Sequence, residues 1–244
     1  TEASFYENRW KVAKVDYNLS FGMFDNNQLV GFIINAIDYR NGEKIAFNTG
    51  TGVIPSHRGR KIVKTLYDFA IPFLKNNGIN VCSLEVITEN TIAIKTYQRI
   101  GFNICKTYKC YKYSFEDIVG SNIDIVRINA EDFNWQLSKN EKLYSWDNQK
   151  EAIIRNLNLT FYSFSNDNKA LGYAIVDDNN GYIAQFEAYS NSVKDYTLIL
   201  KKLTSLNLNW RINNIDVSLK EKINAFETLN FQNSVDQFEM KLSI

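Results

Sequence analysis

V-I-P-S-H-R-G-R-K-I, Val53 to Ile62, and L-E-V-I-T-E-N-T-I-A-I-K-T-Y-Q-R-I-G-F, Leu84 to Phe102, are the two stretches from which the rest of the chain is read. The first is a β-type run that breaks at Pro55 into a basic glycine turn and then opens an amphipathic helix. Ile62, Val63, Leu66, Phe69, Ala70, Phe73 and Leu74 continue that helix at three- and four-residue intervals, the pattern of a helix lying on a sheet. Pro72 is expected to kink its last turns and Gly78 to cap it in the left-handed region. Amides at a helix N-terminus have no intrahelical acceptor and carry partial positive charge, so Arg58-Gly59-Arg60-Lys61-Ile62-Val63 reads as an anion-binding turn. The second stretch is a strand, a polar break at Glu89 and Asn90, a short helix, and a Gly-Phe stop.

Working outward, Phe5, Tyr6, Trp10, Val12, Ala13 and Val15 form an apolar stripe at helical spacing. Ser20 to Asp25 and Leu29 to Ile37 read as a hairpin around Asn26-Asn27. Ile45 to Ile54 is the next strand, with Phe47, Thr49, Thr51 and Val53 on one face and Gly50 and Gly52 on the other. Two glycines in a strand mark a bulge, a packing requirement, or a close approach to the backbone. Residues 116 to 122 are polar, with Gly120 and Ser121, and read as a linker between domains at 1–115 and 123–244.

After the linker the element order starts again. Ile123 to Ile128 reads as a strand, Ala130 to Leu143 and Asn148 to Asn156 as helices, and Leu159 to Phe164, Leu171 to Val176 and Tyr182 to Ala188 as strands. Ser192 to Leu206 is helical, Trp210 to Val217 a strand, Lys220 to Leu229 a helix, and Phe231 to Leu242 strand-like. At one constant offset Phe102 aligns with Phe231 and Tyr97 with Phe226, while Asn90 becomes Leu219, Ala93 becomes Lys222 and Gly101 becomes Asn230. The second copy keeps the shape and loses the chemistry. It has no Arg-Gly pair at Tyr189 to Lys194, and reads as a structural or substrate-shaping domain.

The composition of the 244 residues, 45% hydrophobic and 23% charged, is that of a folded globular chain with room for two cores. No apolar run reaches the length of a membrane span, so no membrane association is expected. A formal net charge of +1 argues against nucleic acid as the main partner. Three cysteines, Cys82, Cys105 and Cys110, have no zinc-type pairing and suggest reduced thiols in a cytoplasmic setting, with no metal.

The two opening stretches together resemble the acetyl-coenzyme A binding core of the GCN5-related N-acetyltransferase (GNAT) superfamily, over about half of the first domain. The resemblance implies an α/β fold with a mixed sheet, here two tandem GNAT-like domains. It also implies a strand, a helix or both upstream of Thr1, since Glu2 to Val15 reads like the second helix of the family fold. Arg58, Gly59, Arg60, Lys61, Ile62 and Val63 would cradle the pyrophosphate of acetyl-CoA. The family has glycine where Lys61 stands and glycine or alanine where Val63 stands. Val53 and Ile54 would offer backbone amides where their strand splays from Leu84 to Ile87. In the pattern Asn-x-x-Ala-x-x-x-Tyr-x-x-x-Gly-Phe, Asn90 and Ala93 would line the pantetheine arm, and Tyr97 resembles the tyrosine that protonates the departing thiolate. Asn90 is equally a helix N-cap.

The function implied is N-acetyl transfer to a primary amine by direct attack in a ternary complex. The acceptor is left open among small-molecule and peptide amines: aminoglycoside, polyamine, amino acid or protein N-terminus. Many relatives use a strand glutamate as base, and none lies between Ile45 and Val53. A water chain through Asn48, Thr49 or Thr51, or a neighbouring Glu85 or Asp38, stands open in its place. His57 belongs to the turn, as a surface or phosphate contact. Two rival readings are a non-catalytic acyl-CoA sensor or scaffold, and a tandem aminoacyl or amino-thiol transferase. A monomer of two pseudo-dimeric halves and a homodimer are both compatible with the sequence.

Overall fold

The computed structural model describes residues 3–113, 120–206 and 209–244. The chain divides into two compact units, one running to Thr107 and taking in Gln237–Ile244, the other Tyr108–Asp236. Of the 116–122 linker, residues 116–119 lie outside the described residues and 120–122 fall in the second unit. The division therefore differs from 1–115 and 123–244 at both ends of the second half.

In the first unit α1 (Ala3–Ala13) leads into β1 (Phe21–Asp25), β2 (Gln28–Arg40) and β3 (Glu43–Val53), then α2 (Ile62–Asn76), β4 (Val81–Ile87), α3 (Thr91–Ile100) and the start of β5 (Asn103–Tyr113). The chain returns to this unit with the end of its last strand, whose Phe238 stands opposite Val86 and Met240 opposite Leu84, antiparallel to β4. That long-range pairing is why the last eight residues belong to the first unit. β1, β2 and β3 run antiparallel, and β3 lies parallel to β4.

One sheet face carries the core. Leu66, Tyr67, Ala70 and Leu74 of α2 and Ile94 and Tyr97 of α3 pack on Ile33, Cys82, Leu84, Val86 and Met240. The helix ends follow the sequence chemistry. Gly78 and Gly101 sit at φ +73 and +116, and Asn90 caps α3 by accepting from the Ala93 amide at 3.2 Å.

The second unit adds β6 (Asp124–Ile128), α4 (Lys150–Ile153), β7 (Thr160–Asn166), β8 (Lys169–Asp177), β9 (Tyr182–Ala188), α5 (Val193–Thr204), β10 (Trp210–Asp216), α6 (Lys220–Thr228) and the start of β11 (Gln232–Ser243). Here β6 to β9 are antiparallel neighbours, β9 and β10 are parallel, and β10 pairs antiparallel with the end of β5. The helix expected over Ala130 to Leu143 does not form, and the one over Asn148 to Asn156 shortens to α4. In their place stand short 3₁₀ turns at Ala130–Asp132, Trp135–Leu137, Glu141–Leu143 and Trp146–Asn148. Each is preceded by Asn129, Asn134, Asn140 or Ser145, and Asn134 accepts from the Gln136 amide at 3.0 Å. Short polar side chains that bond the nearby backbone compete with a continuous helix.

Met240 is fully buried in the core of the first unit although it is distant in sequence. Met240→Ala should destabilise the chain by about 2–5 kcal/mol, the range for truncating a core side chain. Urea unfolding followed by hydrogen exchange should locate the loss among residues 62–100.

Candidate active site

The site starts at a bulge. Along β2 and β3, Ile34 is opposite Gly50 but Asn35 is opposite Asn48, so Thr49 is an extra residue in β3. The strict alternation read from the sequence breaks there. The parallel β3–β4 ladder has its last rung at Asn48–Leu84, directly before the bulge, although β3 continues to Val53 and β4 to Ile87. Past that rung the two strands part.

Which backbone groups face the parting follows from the antiparallel pairing on the other side. The Ile54 amide donates to the Val30 carbonyl at 3.0 Å, which makes 54 and 30 a bonded pair. Bonded and non-bonded pairs alternate, so Val53 opposite Gly31 and Thr51 opposite Ile33 are non-bonded. Their own N–H and C=O point away from β2, toward the parting. Of the two amides expected there, Val53 is so placed and Ile54 is engaged by β2. Gly31 is needed nearby for packing, since a Cβ on it would stand 2.6 Å from Ile62 Cγ2.

The turn between β3 and α2 holds the cradle residues. Gly59 lies at φ +78, with nothing within 4 Å of where a Cβ would be. Lys61, at the cap of α2, lies at φ +60 and gives no side-chain cap. The first-turn amides of α2 therefore point outward from an uncapped helix start. Arg58, Arg60 and Lys61 are exposed, and Arg58 Nε donates to the Val53 carbonyl at 3.2 Å. Ile62 is buried and Val63 packs partly against the same core, so both side chains belong to the fold and only their amides face the turn. His57 lies between Ser56 Oγ at 2.9 Å and Asp25 Oδ2 at 3.1 Å, tying the turn to the β1–β2 hairpin.

Tyr97 is buried on α3, its ring 6.5 Å from that of Tyr67 and 5.8 Å from that of Phe102. Its hydroxyl lies beside the Thr51 side chain, and burial raises its pKa above the ordinary phenol value against a smaller lowering from Thr51. Thr51 Oγ1 in turn donates to Asn48 Oδ1 at 3.1 Å, which also accepts from the Gly50 amide at 3.1 Å. Asn48 Nδ2 donates to the Tyr67 hydroxyl at 2.8 Å. One connected network thus joins the bulge to the candidate acid. Tyr67 was not singled out in the sequence; its signal was its place on the Ile62, Leu66, Ala70 face, where a hydroxyl must find a partner.

Of the carboxylates considered as base, Asp38 is engaged by Lys14 at 2.6 Å and Arg40 at 2.7 Å. Glu85 is one residue past the last β3–β4 rung. Leu84 and Val86 belong to the helix-covered core, so Glu85 faces the other side of the sheet, opposite Glu239. Among the described residues no group of metal-ligating side chains occurs, and no helix is long and apolar enough to cross a membrane.

Parallel strands that part behind a bulge, an uncapped helix start and a buried tyrosine beside the parting make up the candidate site. Residues 1–102, within the first unit, match the family described as Acetyltransferase (GNAT) family. N-alpha-acetyltransferase 30 of Schizosaccharomyces pombe is 27% identical over 95 residues, 38% of this chain and 62% of that protein. The chain thus spans less than two thirds of that relative. Among solved structures, a tandem GNAT protein from the clavulanic acid biosynthesis pathway superposes with a TM-score of 0.64 at 13% identity, over 92% of this chain and 82% of that one. A GCN5-related N-acetyltransferase from Kribbella flavida gives 0.58 at 14% identity, over 99% and 64%. At these identities the likeness is one of fold.

Lys61 adopts a conformation that costs an L-residue roughly 1–2 kcal/mol, while glycine there adds about 0.5–1 kcal/mol of unfolded-state entropy. Lys61→Gly should therefore raise stability by up to about 1 kcal/mol, read as an upward shift of the urea midpoint with an unchanged slope.

Proposed function

We propose that the first unit transfers an acetyl group from acetyl-CoA to a primary amine of a small molecule or peptide, by direct attack in a ternary complex. The observation that carries this reading is the parting of β3 and β4 behind the Thr49 bulge, which turns backbone groups of Thr51 and Val53 toward the position a thioester would take. Preorganised amides at a point where negative charge develops are worth several kcal/mol in acyl transfer. The first-turn amides of α2, with Gly59 and the cations of Arg58, Arg60 and Lys61, would hold the pyrophosphate. Asn90 and Ala93 would line the arm. When bound, the coenzyme supplies an activated acyl group on a thiol leaving group.

Tyr97 holds the proton that the departing thiolate requires. Its burial keeps the hydroxyl neutral, and it lies beside Thr51, which Asn48 holds. Glu85 takes the base role in this reading, since it stands at the parting on the sheet face opposite Tyr97. Acid and base would then approach the reacting centre from its two sides. The free thiols of Cys82, Cys105 and Cys110 are in keeping with a reducing, cytoplasmic setting.

Titration of acetyl-CoA into the full chain tests the reading. Binding is expected in the micromolar range and should be lost in Gly59→Glu, which places a negative charge in the turn and an L side chain at φ +78. No binding to the wild type would remove the reading.

Tyr97→Phe should leave binding in place and lower kcat by about 10²- to 10⁴-fold. Binding without turnover in the wild type, across a panel of amines, would favour the sensor alternative. A pH–rate profile checks the two assignments further. With the Tyr97 phenol raised, no alkaline fall in rate is expected below about pH 10, the ordinary tyrosine value. In Glu85→Gln the neutral-pH rate should drop, and it should recover as pH rises toward the pKa of the acceptor amine, which then loses its proton unaided.

A further inference from the structure

The second unit repeats the backbone event of the first. Along β8 and β9, Ile175 is opposite Gln185 and Val176 opposite Ile183, so Ala184 is an extra residue. The last β9–β10 rung is Ile183–Ile212, again directly before the bulge, while β9 runs on to Ala188 and β10 to Asp216. Counted from the bulge, Phe186, Glu187 and Ala188 stand where Thr51, Gly52 and Val53 stand in the first unit. The pairing confirms their facing. The Tyr189 amide donates to the Leu171 carbonyl at 2.9 Å, so alternation turns the backbone of Phe186 and Ala188 away from β8, toward β10.

Here the chain itself occupies that position. The Phe186 carbonyl lies 2.9 Å from the Tyr144 hydroxyl, and the Ala188 backbone lies beside the Tyr196 hydroxyl. Asn148 reaches both strands: its carbonyl accepts from Gln185 Nε2 on β9 at 2.7 Å, and its Nδ2 donates to the Asn213 carbonyl on β10 at 3.4 Å. Where the first unit has Gly52 and Ala93, the second has Glu187 and, at the aligned position, Lys222. These two pair at 2.7 Å. Tyr144 and Tyr196 donate to the same carboxylate, each at 2.7 Å, and Lys222 Nζ lies 3.0 Å from the Tyr144 hydroxyl. Lys222 and Asn148 are each 1% exposed and Glu187 3%. A charge pair buried this deeply is tolerated because its oxygens and protons are so fully bonded.

We propose that the parting between β9 and β10 is a coenzyme-type slot occupied by the chain's own Tyr144, Asn148, Glu187 and Lys222, so that the second unit takes up no acyl-CoA and keeps its strands apart without one. This rests on the transferase reading only for the identity of the ligand excluded. The contacts themselves stand apart from it.

Residue-resolved amide exchange by NMR on the full chain, with and without acetyl-CoA, tests it. Ala188 should be protected without acetyl-CoA and unchanged by it, whereas its counterpart Val53 should slow when acetyl-CoA is added. If Val53 does not respond, the transferase reading fails while Ala188 still decides this proposal. Tyr144→Phe, which keeps the ring and removes the hydroxyl, should speed exchange of residues 184–188 by about tenfold or more while leaving the first unit unchanged. Should that variant unfold as a whole, the wild-type comparison alone decides. The proposal is overturned if Ala188 in the wild type exchanges as fast as Val53 does without acetyl-CoA, or if acetyl-CoA slows Ala188 in Gly59→Glu.

Discussion

A parallel ladder that stops one residue before a bulge is the constraint on which this structure depends. After Asn48–Leu84 the backbone of β3 turns groups toward β4 that no longer have a ladder partner. A buried polar group left unpaired costs roughly 1–3 kcal/mol, so every group on that edge needs a substitute. Asn48 supplies some of it by accepting from the Gly50 amide and the Thr51 hydroxyl, and Arg58 serves the Val53 carbonyl. In the second unit, after Ile183–Ile212, tyrosine hydroxyls and the Asn148 amide take the corresponding places. The same backbone event is met twice, by Asn48 and Arg58 in the first unit and by Tyr144 and Asn148 in the second.

What was legible in the sequence was local. Strand, turn and helix at Val53 to Asn77 and at Leu84 to Phe102 follow from glycine, asparagine and apolar spacing within a few residues, and β4 and α3 lie where that chemistry puts them. Gly101 was readable because only a residue at home at φ +116 ends a helix in that way. The bulge was half legible. Glycines at 50 and 52 marked an irregular strand, yet the extra residue is Thr49, fixed by the register against Asn35, which no local pattern encodes. Gly52 answers to packing, since a Cβ there would come within 2.6 Å of the Phe32 ring.

What was not legible is long-range. The C-terminal residues read as the last strand of the second half, and nothing in Gln237 to Ile244 says that β4 is their partner. Ala130 to Leu143 read as a helix, but the chain there forms short turns, one of them capped by Asn134. Those turns place Tyr144 and Asn148 against β9. Lys222 shows the same limit from the other side. The alignment identified it as the counterpart of Ala93, but its partner Glu187 lies in a strand whose register only the fold determines.

The two units also separate two roles that the sequence could not. Asn90 reads equally as a helix cap and as a contact for a bound arm. Its counterpart Leu219 begins α6 at φ −82 and ψ 62 with no side-chain cap, against φ −80 and ψ 66 at Asn90. The backbone turn from strand to helix is therefore the same with leucine as with asparagine, and the hydrogen bond to the Ala93 amide does not set it. An asparagine cap adds about 1 kcal/mol to the helix start, but it is not what shapes the break. At the proposed coenzyme site the side chain at this position would have a polar partner to meet. In the unit filled by Lys222 and Asn148 it has none, and an apolar residue stands there.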